Sequence, residues 1–421
     1  MKIKRLTIKT TKYDVRCILL TILIYMYILF SICPQLIILN MAEIIKAVLL
    51  AGISTLIIIC YNRLGKMNIF CLLYCLYIPV MSYMAGKATI GNRYISLMFL
   101  PLGGIVFDIY MRKGYISVLK KMLALIVPVV LYVYVQTFRA LGSSPYAVRK
   151  IKTYDEYTIQ MRNAGVGGYE FIYFLAMLAI VFWCLILLEK EIVKRAVAFI
   201  AFALSFILIL RSNYLTAAIT VAVGVAISIT LFLVKKSPVW GGVIFLMAGL
   251  GLILHEIIIN VSVNFLTKYI ITSGKNYDRL LMLKEKGLES LIDILESEGR
   301  AELYGVSLTS VKENALLGLV FEENGSINNI SQHSFILDTF ALFGVVIGVA
   351  TCIIILANFK KEYFKDEAII MTISMLVATG IVLGGNNLTA SIAIVVTLIY
   401  PCMVTKKERK NVDGNTAISG G

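Results

Sequence analysis

Charge is what this sequence lacks most. Only 15% of its 421 residues are Asp, Glu, Lys or Arg, where a soluble globular domain carries about 25%. That shortage excludes an ordinary water-solvated domain. Histidine is reduced to two residues, His255 and His333. Eight cysteines occur, at 17, 33, 60, 71, 75, 184, 352 and 402, all in or at the ends of apolar runs. Neither a disulfide framework nor metal-ligand spacing fits them, and they read as small buried hydrophobes. No repeat of fixed period is visible, so the two-halves symmetry of many transporters is not evident. Outward-facing carboxylate clusters of the D-x-D type are missing too.

What the sequence has in abundance is apolar length. It is 59% hydrophobic, and runs of 17 or more apolar residues recur from end to end. In a bilayer each run must be a helix that satisfies its own backbone. Twelve spans are expected, at about 17–37, 46–60, 68–86, 94–110, 122–138, 168–188, 196–210, 213–234, 239–259, 334–356, 368–383 and 388–404. The first follows the basic stretch "MKIKRLTIKTTKYDVR" but no small-residue cleavage site, so it reads as an uncleaved span. With the amino terminus inside, the inner segments hold 24 of the 40 Lys and Arg. Short outer loops hold only 4. The positive-inside rule therefore accounts for the formal charge of +15 without nucleic acid, and places both termini in the cytoplasm.

The expected architecture is all-α: one polytopic membrane domain over 1–421, with about 12 transmembrane helices. An outer loop covers 139–167, a larger one with amphipathic helices covers 260–333, and a cytoplasmic tail covers 405–421. Within the larger loop, "YDRLLMLKEKGLESLIDILESEG" spaces its leucines as one amphipathic helix does.

Charges stand out where apolar sequence surrounds them. Arg211, in "LILRSNYLTA", separates two apolar segments by a few residues, and a charge at membrane depth is functional by default. The alternative is a tight outer turn with a snorkelling arginine. Ser212, Asn213 and Tyr214 beside it offer hydrogen bonds to a glycan or to the turn. The 139–167 loop carries Arg139, Arg149, Lys150, Lys152 and Arg162 against the positive-inside preference. A guanidinium fork suits a pyrophosphate or an acidic sugar. Arg279 follows in the second loop, and Arg300 precedes Tyr304 by one helical turn. His333 stands at the water-facing entrance of the tenth span, with Asp338 about one and a half turns deeper. Imidazole is the side chain best placed to take a proton near neutral pH, and a carboxylate at that depth needs a partner. His255, beside Glu256, has no such arrangement and reads as structural.

These elements together resemble a family. An arginine between closely spaced spans ("RSNYLTA") is followed by a large loop ending in "GRAELYGVSLTSVKENALLGLVF" and then by "QHSFILDTFALFGVVIG". The pattern is similar to that of bacterial O-antigen and capsule repeat-unit polymerases, and more distantly to O-antigen ligases. It covers roughly residues 160–345. The turn "NALLGLVF" departs from the family's N-P-L-x-G-x-G, lacking its proline and second glycine. The histidine motif is met by His333, Ser334, Leu337, Asp338 and Gly344.

The resemblance implies glycosyl transfer on the outer, periplasmic side of the bacterial inner membrane, without metal or other cofactor. A growing glycan on undecaprenyl pyrophosphate would pass to a lipid-linked repeat unit. His333 would take the acceptor proton, with Asp338 as orienter or alternative base. Arg211, Arg279 and Arg300 would bind the leaving pyrophosphate, and Arg139, Arg162, Tyr214 and Tyr304 the glycan. A chain-length regulator and a flippase would be partners. An O-antigen ligase is the alternative enzyme, and a lipid-linked oligosaccharide flippase the alternative of another class.

Overall fold

The computed structural model describes residues 15–405 except 40, 61–63, 88–89, 91–93, 95–97, 152–154, 272, 291–299 and 323–324. Among these residues every regular element is a helix. Nine helices are long and apolar enough to cross a membrane, or ten if one bent pair counts as a span. The protein is therefore a polytopic, all-helical membrane protein.

The helices are α1 (Val15–Ile32), α2 (Ala42–Cys60), α3 (Lys66–Met84), α4 (Phe99–Lys113), α5 (Ile116–Ser143), α6 (Glu156–Asn163), α7 (Tyr169–Leu188) and α8 (Ile192–Arg211). They continue as α9 (Leu215–Lys236), α10 (Val239–Ile253), α11 (His255–Tyr269), α12 (Lys275–Lys286), α13 (Arg300–Glu313), α14 (Phe335–Ala357) and α15 (Ala368–Gly385), and end with α16 (Ala390–Thr405).

Helix α7 is the hub. Its sequence "YEFIYFLAMLAIVFWCLILL" is apolar all round, which is the signature of a helix enclosed by others. It packs against α1, α8, α9, α15 and α16. By contrast α10 has no buried residue among those described, and Val239, Leu246, Met247 and Ile253 are exposed on it. In a bilayer these are lipid-facing positions.

Three of the twelve expected spans are not full-length helices. The stretch expected at 94–110 becomes α4, only 15 residues long where about 20 are needed to span. Its buried residues include Phe99, Leu102, Val106 and Tyr110, and Gly114 ends it at a φ of 74°. It is a core helix. The stretch at 239–259 splits into α10 and α11, which meet at 81°. The last stretch is the short α16.

The expected amphipathic helix over 277–299 also breaks. α12 ends at Lys286 because Gly287 adopts a φ of 63°, a conformation that stops a helix and suits glycine. Residues 291–299 of that stretch lie outside the described residues, as does 406–421 of the tail. At the other loop, α5 runs on to Ser143, five residues past the expected span end, and α6 occupies 156–163.

Helix α14 is interrupted at Gly344 (φ 77°, ψ 176°). The turn Asn314–Gly318 wedges into this break, and the Val345 N–H donates to the Ala315 carbonyl at 2.8 Å. Backbone freed inside a bilayer has to be satisfied by a neighbouring segment in this way. A Cβ on Gly318 would stand 2.4 Å from the Leu342 carbonyl oxygen, and one on Gly344 would stand 2.1 Å from that of Leu316. The "NALLG" turn and the later glycine are thus two halves of one contact. Beyond it, Lys87 at the end of α3 donates to the carbonyls of Leu319, Glu322 and Gly325, tying the following loop down.

Candidate functional site

A cavity of about 990 Å³ opens at one end of the bundle, where α1 stops and α2, α7, α9, α14 and α16 start. The first residues of four of these helices, Tyr169, Leu215, Phe335 and Ala390, line it. A helix start carries unpaired N–H groups and a partial charge of roughly +0.5. The partial positive charge of these starts adds to the cations of the lining, although N–H groups at the α14 and α16 starts are already taken by Ser334, Asn386 and Thr389.

Each wall is held by a local device. His333 lines the cavity one residue before Ser334, the N-cap of α14, whose hydroxyl accepts from the Leu337 N–H at 3.2 Å. The preceding Gln332 has a φ of 57°. Its carbonyl accepts from the Asn387 side-chain amide at 2.6 Å, while the Phe335 N–H donates to the Asn386 carbonyl at 3.0 Å. The stretch "GGNNLTAS" between α15 and α16 therefore braces the histidine segment. It braces α7 as well, since the Ser391 hydroxyl donates to the Glu170 carbonyl at 2.8 Å.

Asp338 is 1% exposed and does not line the cavity. Its Oδ1 accepts from the hydroxyls of Ser307 at 2.8 Å and Ser331 at 2.7 Å. Ser307 in turn accepts from the Ser331 N–H at 2.7 Å, and Ser331 from the His333 N–H at 3.1 Å. The carboxylate thus latches α13 to the loop that carries the histidine. Asp338 is thereby linked through Ser331 to the backbone N–H of His333.

Arg162 comes from α6, which starts at an Asp155 N-cap accepting from the Thr158 N–H at 2.7 Å. Arg162 Nη2 meets Glu170 Oε1 at 3.3 Å. Arg162 Nη1 and Glu170 Oε2 are buried without a hydrogen-bond partner among the described residues. Both ends of this ion pair keep spare bonding capacity at the cavity wall.

Arg149 donates to the Asn213 carbonyl at 3.2 Å. Asn213, at a φ of 63°, also donates from Nδ2 to the Pro145 carbonyl and accepts at Oδ1 from the Asn276 N–H. It ties the 139–167 loop and the segment at α12 to the α8–α9 turn. Tyr214 next to it closes an aromatic cluster, with ring centroids 5.9 Å from Tyr169 and 6.0 Å from Tyr173. Burial first, and then Glu170, push the Tyr214 phenol above its ordinary value.

The structure thus gathers His333, Arg162 and Tyr214 at one cavity. It places the other expected residues elsewhere. Arg211 lies over the Phe138 ring at 4.9 Å from its centroid, and Arg279 donates to the Asn276 side chain at 2.9 Å. Arg139 is exposed on α5, and Tyr304 sits on α13 near Gly385. None of these four lines the cavity. Arg300 opens α13, and its side chain lies outside the described residues. His255 stands at the α10–α11 bend, away from the cavity.

Sequence reasoning missed Lys46, Asn386 and Tyr173 as lining residues, and counted Arg149 only among the loop's cations. Lys46 and Glu43 form an i,i+3 ion pair. That spacing at the edge of an apolar run was the available signal. Among the described residues no three His, Cys, Asp or Glu side chains are grouped to hold a metal ion. A scan against protein-family models, a search of curated proteins and a search of solved structures each return no match.

Proposed function

We propose that this protein is a glycosyltransferase of the bacterial inner membrane that polymerises lipid-linked oligosaccharide repeat units into O-antigen or capsule polysaccharide. The observation that supports it is the cavity, where an imidazole, two guanidiniums, an aromatic cluster and four helix starts meet. Both termini are cytoplasmic in this reading, and the cavity opens to the outer side.

The acceptor sugar hydroxyl attacks the anomeric carbon of the growing glycan, and the bond from that carbon to the pyrophosphate oxygen breaks. The electron pair leaves with the undecaprenyl pyrophosphate, and the hydroxyl proton passes to His333. Arg162 and Arg149, with the helix starts, stabilise the departing diphosphate electrostatically. The tyrosine cluster and Asn387 offer ring faces and an amide to the glycan, an arrangement that suits a sugar with one apolar face. Asp338 acts at one remove, through Ser331, by fixing where His333 stands.

The test is reconstitution. Purified protein in liposomes with undecaprenyl-pyrophosphate-linked repeat units is expected to give a ladder of longer glycans, with no lipid A core present. Repeat units left unextended would overturn the polymerase reading, and transfer that requires added lipid A core would replace it with a ligase.

A further inference from the structure

The amino-terminal helices contribute a cation that the resemblance does not cover. Lys46 lies one turn into α2, far in sequence from residues 160–345, yet it lines the same cavity as Arg149, Arg162 and His333. Its side chain is 8% exposed. A lysine near the end of a membrane span ordinarily snorkels its ammonium to water, and this one does not. Burying an ammonium is costly unless it is paired. The partner here is Glu43, one turn earlier, whose side chain is 53% exposed. An open carboxylate is a weak counter-ion, worth little in a solvated pair.

All three cations of the cavity share this pattern. Arg149 is held by a backbone carbonyl and Arg162 by a single contact to Glu170, as Lys46 is by Glu43. The carbonyl that holds Arg149 is a weaker partner than a phosphate oxygen, and Glu43 and Glu170 each make a single ion-pair contact to their cation. The wall also holds Asn386, 4% exposed, whose amide nitrogen has no hydrogen-bond partner among the described residues. With Arg162 Nη1 it makes two unpaired buried donors against one unpaired acceptor, Glu170 Oε2, among the described residues of the wall, and an excess of donors points to an incoming acceptor. One phosphate would not occupy three cations and four helix starts, whereas a diphosphate spreads its charge over two centres.

We infer that Lys46 is a phosphate-binding residue of this cavity, contacting a diphosphate together with Arg149 and Arg162, and that Glu43 is the counter-ion it releases on binding. The inference rests on reading the cavity as the leaving-group site, but it does not require that glycosyl transfer be the reaction.

Inorganic pyrophosphate is the probe, titrated calorimetrically into the purified full-length protein in detergent. Lys46→Gln is expected to weaken its affinity by about 10–100-fold, the span of one hydrogen bond to a charged group. Lys46→Arg is expected to keep most of it. Glu43→Gln is expected to tighten binding, because it removes the competitor. Lys235→Gln, at an exposed position on α9, serves as the control and leaves affinity unchanged. Wild-type affinity in Lys46→Gln would overturn the inference. So would weakening in Glu43→Gln, which would make the pair structural, and so would a wild-type protein that binds no pyrophosphate. If Lys46→Gln does not fold, the direction of the Glu43→Gln change decides alone. Lys46-dependent binding in a protein that makes no polymer supports the inference and sinks the polymerase reading. Polymer formation with Lys46-independent binding does the reverse.

Discussion

Arg162 and Arg211 look alike in the sequence: both interrupt apolar or loop sequence near the ends of spans, and both invite a ligand. The structure treats them differently. Arg162 is held by one contact to a cavity carboxylate, with a second nitrogen unpaired. Arg211 spreads its guanidinium over the Phe138 ring outside the cavity. The turn around Arg211 does its work through Asn213, whose side chain and carbonyl join three segments. What separates the two arginines is therefore the partner: Glu170, eight residues on, for Arg162, and the distant Phe138 ring for Arg211. The contrast can be broken or sharpened by substitution.

The largest effect is expected at His333. His333→Ala should lower polymerisation by about 10²–10⁴-fold if the imidazole takes the acceptor proton. His255→Ala, at the α10–α11 bend, should leave the rate unchanged. Initial rates in proteoliposomes at matched protein levels decide this, and equal losses in the two variants would remove His333 from the chemistry.

Arg162→Lys comes next. A lysine keeps the charge but loses the guanidinium fork. Losing one donor aimed at the developing charge costs about 2.7–4 kcal/mol, or about 10²–10³ in rate. A tenth of wild-type rate or more in this variant would show that charge alone suffices at this wall.

Asp338 separates positioning from proton transfer. Asp338→Ala strands the hydroxyls of Ser307 and Ser331, at about 1–3 kcal/mol for each buried group left unsatisfied. A drop in thermal stability should accompany its loss of activity. Asp338→Asn keeps an oxygen where Oδ1 accepts both hydroxyls, and should keep most of the activity with an unchanged pH profile. If Asp338→Asn were as inactive as His333→Ala while folded, the carboxylate would be acting as the base.

The sequence made the helices legible because a bilayer leaves the backbone no other choice, and their starts and stops follow apolar length. It failed where packing overrides length. Gly103 and Gly104 let α4 approach its neighbours closely, with a Cβ at Gly104 falling 2.6 Å from the Asn358 side-chain oxygen, so an apolar run became a buried core helix. The amphipathic reading of 277–299 followed leucine spacing past Gly287, where a positive φ ends the helix. At the site, His333 and Asp338 were visible because charge is rare inside apolar runs. Asn386 was hidden because an asparagine in a short loop between spans has no distinguishing pattern. Lys46 was hidden because a lysine at a span boundary normally reports topology alone.

The smallest effect is expected at Arg211, and it is the one that tests the contrast most directly. Its guanidinium lies against an aromatic face and away from the cavity lining. A contact of that kind at a partly exposed site contributes about 0.5–1 kcal/mol, which belongs to stability, not to the barrier. Arg211→Lys keeps a cation over the ring and should be silent in both readouts. Arg211→Ala should lower the unfolding temperature slightly and change the polymerisation rate less than about tenfold, the factor that 1.36 kcal/mol represents. Asn213→Ala, two residues away, should be worse than Arg211→Ala, because it removes the side-chain bonds to Pro145 and Asn276 at once. The order Asn213→Ala more damaging than Arg211→Ala is the signature of a bracing turn. The opposite order, with a rate loss in Arg211→Lys as deep as that in Arg162→Lys, would place Arg211 on the substrate and return the turn to the site.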